Sequence, residues 1–332
     1  MAEQLLDDIY RLEIPIPKNP LKYTNSYVIK HGDGALIIDV GLGKRESYEI
    51  FMRETKEIGI DLNKTVFVIT HMHADHCGLI SDVSKKSSKV IFTKEDASFI
   101  IPNKNPELFW EIEKEFGRKY GFPEELLDDA IKRHPGYQFA PKKSIKGKII
   151  FANNGDILKI GLRQLKIIKT PGHTKGHICL YDEANKLLFS GDHVLGNITP
   201  NISSFSKYPN PLTDYLKSLD KVYGLDVKVA FAGHRRPIYN FKERIQQIKK
   251  HHDERIREVL EVLKSGKFSA YQIASQITWD ISFPNWDAFP VSQKWFAHQE
   301  TVAHLEFLVS TGAVHRYVRE ENARKIYYFS IT

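Results

Sequence analysis

Three histidines and one aspartate fall within six positions of the stretch Thr70-His71-Met72-His73-Ala74-Asp75-His76, the part of this 332-residue chain best equipped for chemistry. The apolar run Val66-Phe67-Val68-Ile69 precedes it, so these side chains sit where a buried strand ends and a loop begins. Burying several imidazoles and a charge is costly unless something satisfies them, and a metal ion does so. His71 and His73 are two apart and point to one side of an extended segment, while Asp75 and His76 would open the following helix and turn toward a second point. One segment thus offers two pairs of ligands. Imidazole nitrogen with carboxylate oxygen suits zinc or a similar divalent ion. The bland alternative is a polar loop that is merely rich in histidine.

Other motifs are arranged around this one. Leu36-Ile37-Ile38-Asp39-Val40-Gly41 lies upstream, and Pro171-Gly172-His173-Thr174-Lys175-Gly176-His177 downstream. Ser190-Gly191-Asp192 follows the apolar Leu187-Leu188-Phe189, and Ala232-Gly233-His234 ends the run from Val227 to Phe231. Together the five motifs resemble the metallo-β-lactamase superfamily, whose signature is H-x-H-x-D-H after a strand, over residues 10–240.

The resemblance implies an α/β fold, a four-layer αββα sandwich. It also implies one metal held by His71, His73 and His173, a second held by Asp75, His76 and His234, and Asp192 bridging them. Two zinc ions are the expected cofactors, with manganese or iron as alternatives, and a metal-bridging hydroxide is the expected nucleophile. Asp75 and Asp192 are then the catalytic carboxylates, Asp75 by orienting the water. Asp39 either supports the metal loop from behind or caps a helix, and His177 and His193 are expected in supporting roles. Cys77, next to His76, reads as a small buried residue rather than a stray ligand.

The elements that must position these residues alternate. Residues 9–16, 23–30 and 35–40 read as strands, 45–58 as an amphipathic helix, 78–86 as a helix and 89–93 as a strand, which argues for a layered α/β core. A helical insertion at 100–146, opened by Pro102-Asn103-Lys104-Asn105-Pro106, interrupts that rhythm. Its Phe109, Trp110, Phe116 and Tyr120 would either line a lid over the substrate pocket or pack on the host domain. Strands return from Ile149. A boundary near Asn240 separates a catalytic domain, 1–240, from a small α+β domain, 241–332. There, helices at 241–263, 269–277 and 299–310 precede strands at 314–317 and 325–329, set around Glu320-Glu321-Asn322-Ala323, as in a winged helix. Gln299–Ser310 makes a poor DNA-reading helix because its charged residues, Glu300 and Glu306, are acidic; packing or homodimerisation suits it better.

Composition narrows the class. A 42% hydrophobic and 27% charged chain is ordinary for a soluble globular protein, and no run approaches eighteen apolar residues. With an acidic N-terminus and only Cys77 and Cys179, a cytoplasmic location without membrane contact is expected. The net charge of +7 is spread out: residues 241–332 hold 13 basic and 11 acidic side chains, leaving 35 and 30 in 1–240. That is weak support for a nucleic-acid partner, which usually meets concentrated charge. The readings are therefore, first, hydrolysis of a small acyl substrate (thioester, ester or lactone); second, endonucleolytic cleavage of single-stranded RNA; and third, a metal-containing DNA-binding regulator.

Overall fold

The computed structural model describes residues 1–101, 105–280, 283–321 and 324–332. Pro102-Asn103-Lys104, expected to open the insertion, and Asn322-Ala323, expected in the hairpin turn, lie outside the described residues. The chain divides into two compact units: residues 1–103, 139–200 and 218–245, and residues 104–138, 201–217 and 246–332.

The first unit holds two sheets. One has seven strands in chain order: β1 (Glu3–Leu6), β2 (Ile9–Pro15), β3 (Tyr23–His31), β4 (Gly34–Ile38), β5 (Thr65–Val68), β6 (Lys89–Phe92) and β7 (Lys148–Phe151). Neighbours are antiparallel up to β4 and parallel from β4 to β7. The other runs β12 (Val229–Ala232), β11 (Leu187–Gly191), β10 (Ile178–Asp182), β9 (Arg163–Lys169), β8 (Ile157–Ile160) and is antiparallel except for the parallel β11–β12 pair.

Strand alternation sorts the apolar residues into two cores. On β4, Ala35 and Ile37 join Phe51 of helix Arg45–Glu57, with Phe67 and Phe92, whereas Leu36 and Ile38 face the second sheet and join Leu180, Phe189 and Phe231. Both faces of β4 are thus buried, which explains why it reads as an unbroken apolar run. Each such buried Leu, Ile or Phe side chain contributes roughly 1.5–3 kcal/mol. A helix-backed sheet sharing a core with a second sheet is the α/β sandwich the sequence predicts.

The second unit contains helices Pro106–Lys119, Glu124–Lys132, Ala270–Ala274 and Val291–Ser310, and the hairpin β13 (Val314–Glu321) and β14 (Arg324–Ile331). Trp110 is buried with Phe122, Leu127 and Trp295, and Phe109 packs against that cluster. Tyr120 is buried with Val259, Leu305 and Phe329, and Phe116 packs against them. The aromatics of the expected insertion therefore fill the core of this unit, which neither a lid nor packing on the host domain anticipates. Two smaller differences concern local elements. The helix expected at 78–86 is two short ones, Ala74–Cys77 and Ile80–Val83, and β1, whose Glu3-Gln4-Leu5-Leu6 shows no alternation, was not expected. Among the described residues no helix is long and apolar enough to cross a membrane.

Candidate metal centre

Topology brings six chain segments to one edge. β4, β5 and β6 are parallel, so the loops after them leave on the same side; these carry Asp39, the His71–His76 stretch and Asp96. β11 and β12 are also parallel, and Asp192 and His234 follow their ends. β10 runs antiparallel to β11, so the turn before it, holding His173, lies beside the end of β11. Sites in α/β sheets commonly form outside the carboxyl ends of strands.

All seven residues expected as ligands converge. Three groups of mutually close ligand atoms, each within 4.8 Å, are His71/His73/His173, Asp75/His76/His234 and His71/His76/Asp192. His71 Nε2 lies 3.1 Å from His73 Nδ1, and His76 Nε2 lies 3.4 Å from His234 Nε2. His234 Nε2 is 3.3 Å from Asp75 Oδ2 and 3.4 Å from Asp192 Oδ2, and His173 Nε2 is 3.7 Å from Asp192 Oδ2. A tetrahedral ion with bonds of about 2.0–2.1 Å holds its ligand atoms about 3.3–3.4 Å apart, so this spacing fits a shared cation. Cys77 is fully buried, its Sγ 3.3 Å from the Met72 carbonyl, and belongs to none of these groups.

Hydrogen bonds behind the rings leave the ligand nitrogens free to bind. Asp39 Oδ1 accepts from the Thr70 N–H (2.8 Å), and Oδ2 accepts from the Thr70 hydroxyl (2.7 Å) and faces His76 Nδ1 at 2.7 Å. With its one proton given to Asp39, Thr70 Oγ1 can only accept from His71 Nδ1, 3.0 Å away. His234 Nδ1 donates to the Tyr23 carbonyl (2.9 Å). In His71, His76 and His234 the proton is thus held on Nδ1 and Nε2 is presented to the centre, the usual device for aligning metal-binding histidines. Asp39 is therefore a support rather than a helix cap, and it takes up the left-handed backbone (φ +58°) that aspartate tolerates. Asp192 Oδ1 is buried without a hydrogen bond, an acceptor awaiting a partner.

Electrostatics fit a cation. Burial opposes charge on His76, yet the carboxylates of Asp192, Asp39 and Asp75 outweigh it and hold the ring well above the ordinary histidine range. Burial likewise opposes charge on His234, but Asp192 and Asp75 push it up to about 10. His73, away from most of that negative charge, is driven down to about 3 by burial and His173. Positive charge is thus wanted among the carboxylates, and neutral lone pairs stand ready beside them.

Sequence reasoning missed several supports. Asp96 is buried and links two ligand loops, and burial pushes its carboxyl up to about 6 against the hydrogen bonds it receives from Thr174, Gly176 and Met72. Its place just after β6 was the available signal. Asn25 Nδ2 donates to the Ala232 and Arg235 carbonyls (2.8 and 2.7 Å), clamping the turn that carries His234. A Cβ on Gly233 in that turn would fall 2.3 Å from Asp192 Oδ1 and 2.7 Å from His76 Cε1, so only glycine fits. His177 Nε2 accepts the Asp192 N–H (3.1 Å), leaving Nδ1 to donate to Thr170 Oγ1 (2.8 Å). His193 is fully buried, and burial lowers it to about 3.

A family model described as "Metallo-beta-lactamase superfamily" matches residues 19–234. Over 321 residues the chain is 26% identical to a Bacillus subtilis (strain 168) protein, probable metallo-hydrolase YqjP, covering 94% of this chain and 95% of that one. It is 26% identical over 208 residues to the Gallus gallus acyl-coenzyme A thioesterase MBLAC2, covering 60% of this chain and 67% of that one. A crystal structure of a metallo-beta-lactamase family protein from Thermus thermophilus superposes with a TM-score of 0.80 at 27% identity, covering 99% of this chain and 100% of that one.

Proposed function

This chain belongs to the metallo-beta-lactamase superfamily, and we propose that within it the protein is a hydrolase of small acyl substrates, a thioesterase first of all, working with two divalent metal ions, zinc in the first instance. The observation that carries the reading is the convergence of His71, His73 and His173 on one side of Asp192, with Asp75, His76 and His234 on the other. The likeness to an acyl-coenzyme A thioesterase supports the choice of substrate class.

Bound divalent ions supply a water acidic enough to react near neutral pH and a Lewis acid for the acyl oxygen. The protein's own groups do the rest. Asp192 is placed between the two histidine sets and keeps both in register. Asp75, whose side chain is 21% exposed against 9% for Asp192, is the carboxylate that solvent reaches. Burial works against its charge, but His76 and His234 hold its carboxyl well below the usual range. A carboxyl so acidic is a weak base, so its role is to accept a hydrogen bond and orient the attacking water. Water as nucleophile removes the need for a serine or cysteine, consistent with the inert, buried Cys77.

The test is release of free thiol from acyl-coenzyme A thioesters by metal-loaded protein, with a homoserine lactone and a labelled single-stranded RNA as parallel substrates. Thioester turnover that falls at least about 100-fold in Asp192→Ala is expected. Turnover of RNA alone would overturn the reading.

A further inference from the structure

We propose that Asp96 is a positioning residue for one half of the centre, locking the loop that carries His71 and His73 to the turn that carries His173. It thereby sets the affinity for the ion those three imidazoles hold. The inference rests on the two-ion reading above.

Asp96 is 1% exposed and lies beyond the end of β6. Its Oδ2 accepts from the Met72 N–H (2.9 Å) and the Thr174 hydroxyl (2.7 Å), and its Oδ1 accepts from the Gly176 N–H (2.7 Å). Met72 stands between His71 and His73, and Thr174 follows His173. One carboxylate therefore grips the backbone between two ligands and the residue next to the third. Three converging donors need an acceptor with no hydrogen of its own, which a carboxylate is and an amide is not. Thr93 Oγ1 adds a fourth bond from the same strand end, donating to the Gly176 carbonyl (2.7 Å). A Cβ on Gly176 would fall 2.1 Å from Thr93 Oγ1 and 2.5 Å from Asp96 Oδ1, so the glycine of this turn is there to admit the carboxylate. Among the described residues Asp96 has no bond to the other half, where Asp39 stands behind His76 (and, through Thr70, behind His71), the Tyr23 carbonyl behind His234, and Asn25 on the turn.

Because, among the described residues, the Asp96 carboxylate bonds only to Met72, Thr174 and Gly176, its loss should fall on the His71/His73/His173 half. Metal-free wild type, Asp96→Ala, Asp96→Asn and Thr174→Val are titrated with Zn²⁺ against a competing chelator, while circular dichroism and the unfolding midpoint report on the fold. Losing such a support costs metal affinity about 10–100-fold. Asp96→Ala should lose that much for one ion and leave the other within about twofold. Asp96→Asn, which keeps the shape but sets an N–H against a donor, should fall between, and Thr174→Val, lacking one of three bonds, should show the smallest loss at the same ion. Should Asp96→Ala not fold, Thr174→Val carries the test through the same selectivity. Unchanged affinity at both ions, or equal loss at both, overturns the proposal. Wild type that binds fewer than two ions instead overturns the reading beneath it.

Discussion

At the level of single residues, the centre is organised by who holds which proton. His76 lies well above the ordinary range and His234 at about 10, so without a cation both carry a proton at neutral pH that a metal must displace. The sign follows: metal uptake releases protons, and apparent affinity strengthens as pH rises toward those values. Calorimetric titration in two buffers of different ionisation enthalpy measures this directly; net proton release at pH 7 is expected, and none would contradict the assignment. The seven residues proposed as ligands, which the structure brings together, were legible in the sequence because four of them crowd into His71–His76 and the others follow apolar runs. Asp96 and Asn25 were not: the place of Asp96 just after an apolar strand was the one hint, and an aspartate or asparagine so placed caps a turn as readily as it holds a neighbouring loop.

Helix Val291–Ser310 shows what elements reveal and conceal. Its apolar face was readable, but Gln299, Glu300 and His304 are buried as well, against the ordinary preference of such residues for the surface. Glu306 accepts from the Tyr120 hydroxyl (2.7 Å) and from Arg316 (2.6 Å), so the acidic residues that argued against DNA reading are internal. Burial pushes the Glu300 carboxyl up to about 7, opposed by Arg255 and by the Asn201 Nδ2 donation to Oε2 at 2.5 Å. A folded-state value above the unfolded one means that the folded state holds the extra proton, so this contribution is full below the unfolded value, about 4.5, and is lost as pH rises through about 7. The loss is on the order of 3 kcal/mol. Glu300→Gln keeps an oxygen for Asn201 and cannot ionise, so denaturant unfolding at pH 5 and pH 8 should show a marked fall in stability for wild type and a flatter response for the variant. Equal responses would contradict the burial argument.

For the molecule as a whole, alternating strand and helix patterns outside residues 100–146 were enough to read a layered α/β core, while the sandwich came from the resemblance that the five motifs carry. The company kept by residues 104–138 was not readable: Trp110 and Tyr120 look equally apolar whichever core they enter, and only the structure joins them to Trp295 and Phe329. The family match over residues 19–234 takes in residues 104–138 and 201–217 of the second unit but not 246–332, while the centre lies wholly on segments of the first. The most direct measurement is therefore elemental analysis of the protein purified without chelators and of its Asp192→Ala variant. Two divalent transition-metal ions per chain in the wild type and a clear deficit in the variant are predicted; a wild type with no bound metal, unable to take any up after reconstitution, would contradict the account.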